Sequence, residues 1–84
     1  MKEVSTEYEF SRWLSKARKG EKVVYFDGFL MLERQRHVLN HAGTPFPDKI
    51  RTAILAWRAY LEGLVELVQH KREEGSYEYI AVRS

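Results

Sequence analysis

The sequence predicts a small α+β domain whose elements run helix, strand, helix, helix, strand, strand. Three observations carry that expectation. Two segments, one opening at Thr6 and one at Asp48, place apolar side chains at i, i+3, i+4 and i+7, the period of a half-buried helix. The run Val23-Val24-Tyr25-Phe26 is β-branched and aromatic, as strands are. From Leu64 onward, two strand-like segments flank a polar turn that contains glycine. The 84 residues leave room for one domain, spanning 1–84, because independent domains run to ~50–200 residues.

Each element has its own local cause. Thr6-Glu7-Tyr8-Glu9 has the form of a capping box, a hydroxyl that accepts a backbone N–H with a glutamate three positions on. Phe10, Trp13, Leu14 and Ala17 then form one stripe, so a helix is expected over Thr6–Lys19 with Gly20 as its left-handed stop. Val23–Phe26 follows as a strand ended by Asp27-Gly28. Asp-Gly can also close a hairpin, which would make Phe29–Leu32 a second strand. Propensity favours a helix from Phe29 to His41 instead, because Leu, Met, Glu, Arg and Gln are good helix formers.

Ala42 to Pro47 holds two prolines and a glycine and is expected to be a loop. Asp48 is a ready N-cap. Ile50, Ala53, Ile54, Trp57 and Leu61 give the cleanest amphipathic signal in the chain, and Gly63 closes that helix. Leu64–Lys71 and Tyr77–Arg83 read as a hairpin. Pairing Lys71 with Ser76 would put Val65, Leu67, Ile80 and Val82 on one side and Val68, Tyr77 and Tyr79 on the other. A slip of one residue would exchange the two sides.

The join Leu61-Glu62-Gly63-Leu64-Val65-Glu66-Leu67, set in this order of elements, resembles the passage from recognition helix to wing in the winged helix-turn-helix superfamily. Gly75-Ser76 would then sit at the wing tip. The resemblance runs from about Thr6 to Arg83 and rests on element order and that one join. Tyr25-Phe26-Asp27-Gly28-Phe29-Leu30 and Tyr79-Ile80-Ala81-Val82-Arg83 also look like segments of small uncharacterised proteins of phages and prophages, a likeness that carries no activity.

The winged-helix resemblance implies double-stranded DNA as partner, in transcriptional regulation, without cofactor or catalysis. Carried onto this chain, Lys49, Arg51, Thr52 and Arg58 on the third helix would read bases, and His70, Lys71 and Arg72 on the wing would meet phosphates. Two features depart from the pattern. Residues 49–84 hold six Lys or Arg against five Asp or Glu, and Glu73 and Glu74 at the wing tip would repel phosphate. Leu55, Ala56 and Ala59 are expected on the outward side of the third helix and are poor base readers. The alternative is a protein-interaction module or homodimer on the same fold, through Leu55, Ala59, Val68, Tyr77 and Tyr79.

Composition narrows the remaining classes. Net charge is +2 with 44% hydrophobic and 13% aromatic residues, enough apolar surface for a small core without staples. The absence of cysteine removes disulfides, thiolate metal sites and cysteine nucleophiles, and fits a reducing, cytoplasmic setting. No signal-peptide core opens the sequence and apolar runs such as Phe29–Leu32 and Ala53–Trp57 are far too short to span a bilayer, so no membrane partner is expected. No glycine-rich phosphate loop or Gly-x-Ser-x-Gly motif argues for an enzyme. His37 and His41, four apart, have zinc spacing, but Glu33 is the one further ligand type on that side. They are expected to be ordinary surface histidines. Trp13 and Trp57 are both expected in the core, and Lys16 to Lys22 is read as a solvated, basic helix end.

Overall fold

A computed structural model describes residues 2–41, 43–72 and 75–84. The expectations for Ala42 in the loop and for Glu73 and Glu74 at the hairpin tip lie outside the described residues. The elements are β1 (Lys2–Glu3), α1 (Glu7–Lys16), β2 (Lys22–Gly28), α2 (Leu30–Asn40), α3 (Asp48–Leu61), β3 (Val65–Lys71) and β4 (Tyr77–Arg83). They form an α+β fold with a sheet in the order β1-β2-β4-β3. β1 lies parallel to β2; β4 lies antiparallel to both β2 and β3. β1 has no counterpart in the sequence reading, since two residues carry no period. It is held by the register Lys2 to Val23 and by Val4 N–H donating to the Val24 carbonyl at 2.9 Å.

The start of α1 follows its sequence signal and its end does not. The Thr6 hydroxyl accepts from Glu9 N–H at 3.1 Å, and the Glu9 carboxylate accepts from the Ser5 backbone N–H at 3.0 Å. Donation first from the Ser5 backbone and then its hydroxyl holds the Glu9 carboxyl below its usual range. The helix stops at Lys16 rather than Lys19, with Ala17 already extended. Gly20, at φ 91°, serves a different purpose from the expected helix stop. Its N–H donates to the Arg83 carbonyl at 2.8 Å, while Arg83 N–H donates to Glu21 at 2.8 Å, so the turn is tied to the end of β4.

The segment after Gly28 is helical and not a second strand. α3 begins at Asp48, with Pro47 in the capping position, and ends in a Schellman arrangement. There Leu64 N–H donates to Ala59 at 2.9 Å and Gly63 N–H to Tyr60 at 3.0 Å, with Gly63 at φ 78°. That close turn delivers the chain into β3.

All of the main core lies on one side of the sheet. Phe10 and Trp13 of α1, Ile50, Ala53, Ala56 and Ala59 of α3, and Val23, Tyr25, Phe26, Val65, Tyr79 and Ala81 of the strands form one cluster. A register shift between Val24 and Phe26 allows both Tyr25 and Phe26 to enter it. Large rings come from the sheet, so α3 supplies small residues and its backbone can approach closely. This overturns part of the expected stripe. Ala56 and Ala59 are buried instead of outward, and Trp57 is 53% exposed while Trp13 is 5% exposed.

The hairpin register is also one residue away from the expected pairing. Lys71 lies opposite Tyr77, Leu67 opposite Ala81 and Val65 opposite Arg83. Tyr77 and Tyr79 therefore share the helix-covered side with Val65 and Leu67. Val68 lies opposite Ile80, and neither belongs to the main core cluster. The physical reason is ring volume: Tyr79 packs edge-on against Phe26 at 5.5 Å and tilted against Tyr25 at 6.2 Å, which Ile80 could not do.

Candidate interaction surface

The residues expected to meet DNA do not form one surface. Thr52 is fully buried, and its hydroxyl donates to the Asp48 carbonyl at 2.7 Å, so it has nothing to offer a base edge. Lys49 turns toward α2 and the sheet, with Nζ 3.8 Å from Glu33 and 4.6 Å from the centroid of Phe26. Arg51 is paired with Asp48 and lies 3.7 Å from Glu7 of α1. Arg58 is the one cation of the set on α3 without an acidic partner among the described residues. At the hairpin, Arg72 donates to Asp27 at 2.8 Å and to Glu78, bridging toward β2 and β4. His70 Nδ1 is 3.7 Å from Glu78, and Lys71 is exposed. The Arg72 hydrogen bond holds the Glu78 carboxyl below its usual range, and the same bond raises the arginine further. Lys49, Arg51 and Arg72 are already answered by carboxylates of the same chain, whereas Arg58 and Lys71 have no acidic partner among the described residues.

The alternative set is scattered too. Ala59 and Tyr79 are core residues, and the Tyr79 hydroxyl accepts from Leu30 N–H at 3.2 Å. Tyr77 is half-buried beside Phe29, ring centroids 5.7 Å apart. Leu55 is half-buried on α3, whereas Val68 is exposed on the far side of the sheet. The expected patch through Tyr77, Tyr79 and Val68 dissolves with the corrected register.

A different surface emerges around α2. This helix has no buried residue. Its half-buried positions, Leu30, Glu33 and His37, recur at i, i+3 and i+7, so the inward stripe is mostly polar. Glu33 accepts from Phe29 N–H at 3.3 Å and pairs with Lys49. His37 Nε2 lies 3.2 Å from the Thr44 carbonyl, with its ring 4.8 Å from Phe46. These contacts engage Glu33 and His37, two of the three side chains considered for zinc, and no metal-ligating cluster of three is present among the described residues.

The outward side of α2 is correspondingly apolar. Leu39 is 81% exposed, Met31 69%, Val38 56% and Leu32 41%. Met31 and Val38, and Leu32 and Leu39, are each seven apart, so two adjacent stripes run the length of the helix. An amphipathic helix normally turns such a side inward. Here the orientation is reversed.

Beside α2 lie two adjoining depressions that share Leu30 and Arg34. One, of about 290 Å³, runs to α3 and the sheet through Ile54, Trp57, Tyr25 and Leu67. The other, of about 400 Å³, runs along α2 past Met31 and Val38 to Phe46 and Tyr79. Together they make an apolar trough. Its one charged lining residue among the described residues is Arg34, which has no acidic partner there. The sequence signal for this surface was present in the spacing of Leu32, Leu39, Met31 and Val38; which stripe would face the protein was not.

Fold and surface thus define a small α+β domain with a mostly apolar trough between α2, α3 and the sheet. The chain matches no protein-family model, no curated protein and no solved structure.

Proposed function

We propose that this domain is a protein-interaction module of winged-helix type that works through α2 and the adjoining end of α3. The winged-helix assignment rests on the six elements after β1, whose order is helix, strand, helix, helix, strand, strand, and on the Gly63 turn from α3 into the hairpin. The interaction assignment rests on one observation, the reversed polarity of α2. Exposing four large aliphatic side chains of one helix to water is unfavourable, at roughly 25 cal/mol per Å² of apolar surface. Contiguous apolar patches of this kind mark protein or membrane contacts and ligand grooves, whereas DNA-binding surfaces are more polar and strongly basic. DNA reading from α3 is the weaker account, because Thr52 is buried and Lys49 and Arg51 are paired within the chain.

Two measurements test the proposal together. A photo-crosslinking residue at Leu39 should yield a discrete adduct in producing cells, while the same group at Ser11 on α1 should not. An adduct at twice the 10.0 kDa chain mass would mark the homodimer version. Titration with mixed-sequence duplex at low salt should show no saturable binding. Tight binding that falls steeply with salt, with no adduct from position 39, would return the protein to the DNA-binding class.

A further inference from the structure

The interaction surface carries information about its partner. The trough is mostly apolar, with Gln35 and Gln69 as its uncharged polar lining, which suits the large side chains of a helix laid into a groove. Arg34 stands in the lining of both depressions. The Arg34 side chain is exposed and has no acidic partner among the described residues, and the group that satisfies a guanidinium best is a carboxylate held bidentately. Arg36 lies beyond Leu32 on the other flank of the exposed stripe and is itself exposed. Glu33, the one acid on α2, is taken by Lys49 and the Phe29 N–H. The stripe is therefore bordered by cations.

That border argues against a second copy as occupant. Two α2 helices packed antiparallel about Gln35, the midpoint of the stripe, would bring Arg34 near its own symmetry mate and Arg36 near its own. Like charges across a small interface are unfavourable. A nucleic acid would satisfy the arginines and leave the aliphatic stripe exposed.

Resting on the interaction reading above, we infer that the trough binds an amphipathic helix of another protein whose apolar stripe is flanked by Asp or Glu, with Arg34 as the carboxylate anchor. Leu30, Met31, Val38 and Trp57 take the apolar side chains. Arg34 sets the sign of the partner's charge.

The test uses two synthetic peptides of about 18 residues, five helical turns, with identical leucine stripes and flanks of either Glu or Lys. Trp57 lines the trough, so its fluorescence reports occupancy. The Glu-flanked peptide should bind roughly tenfold more tightly. Arg34→Glu should reverse the preference, and Met31→Asp should abolish binding of both; these side chains are exposed, so the fold is retained. Equal binding, preference for Lys flanks, or saturation by neither peptide overturns the inference. So does a dimer in sedimentation that Met31→Asp converts to monomer. If the Leu39 adduct forms while neither peptide binds, the interaction reading stands and the acidic-helix partner falls. If no adduct forms and neither peptide binds, the interaction reading falls and the inference falls with it.

Discussion

The two tryptophans should differ sharply in what they contribute to stability, although both belong to helical apolar stripes. Trp13 is 5% exposed and packs against Phe10 with ring centroids 5.7 Å apart. Trp13→Ala opens a cavity in the layer between α1 and the sheet and should cost about 3–5 kcal/mol. Trp57 is 53% exposed. Its covered half removes about 100 Å² from water, an upper bound of about 2.5 kcal/mol at 25 cal/mol per Å². No closed cavity is left behind, because the site is already an open trough. We therefore expect about 1 kcal/mol for Trp57→Ala. A domain of this size holds ~4–12 kcal/mol in total, so Trp13→Ala should remove from about a quarter of it to all of it. Urea unfolding followed by circular dichroism measures both, with an unchanged slope confirming that only stability has moved. Acrylamide quenching of the wild type should reach one tryptophan and spare the other. If Trp57→Ala costs as much as Trp13→Ala, the placement of α3 against the sheet is wrong.

Two pH limits follow from named groups. Burial, with the Tyr79 ring beside it, pushes the Tyr25 phenol up to about 12 from an ordinary value of 10.0. The raised value means that stability is intact below pH 10.0 and declines as pH rises toward about 12, by about 3 kcal/mol in all. Tyr25→Phe should remove most of that alkaline loss in denaturant midpoints measured across the range. Glu78 behaves oppositely. Its carboxyl is held down by Arg72, so the pairing contributes above the ordinary carboxyl range and is lost as pH falls through the depressed value. Glu78→Gln should flatten the acid limb of the same midpoint profile between neutrality and about pH 2, and an unchanged limb would show that the bridge is not coupled to folding.

The parts of the fold legible in the sequence are those fixed by local chemistry. The Thr6 cap, the Gly63 turn and the bounds of β4 depend on neighbours a few residues away and fall where the sequence places them. The rotation of α3 was only partly legible: Ile50 and Ala53 are buried as their spacing predicts, but Ala56 and Ala59 are weak signals beside Trp57 and Leu61. Only the volume of Tyr25, Phe26 and Tyr79 on the facing sheet decides that the alanines turn inward. The hairpin register was ambiguous for a related reason: Tyr77 and Tyr79 on one side of β4 and Ile80 and Val82 on the other are both apolar, so alternation alone selects neither. The candidate surface follows the same logic. Spacing reveals two aliphatic stripes on α2, but their direction is set by Phe46 beneath His37 and by Lys49 on Glu33, contacts made across the loop and from another helix.

The strand order carries a consequence for assembly. β4 is the last strand in sequence and lies inside the sheet, between β2 and β3. Until Tyr77–Arg83 is in place, β2 has only the two residues of β1 beside it, and β3 has no strand partner in the sheet. A chain emerging from the ribosome would hold Val23, Tyr25 and Phe26 in waiting, with the helices made and no sheet to receive them. Closure is then one late event in which a single segment zips two ladders at once, and a break anywhere in β4 costs the protein both.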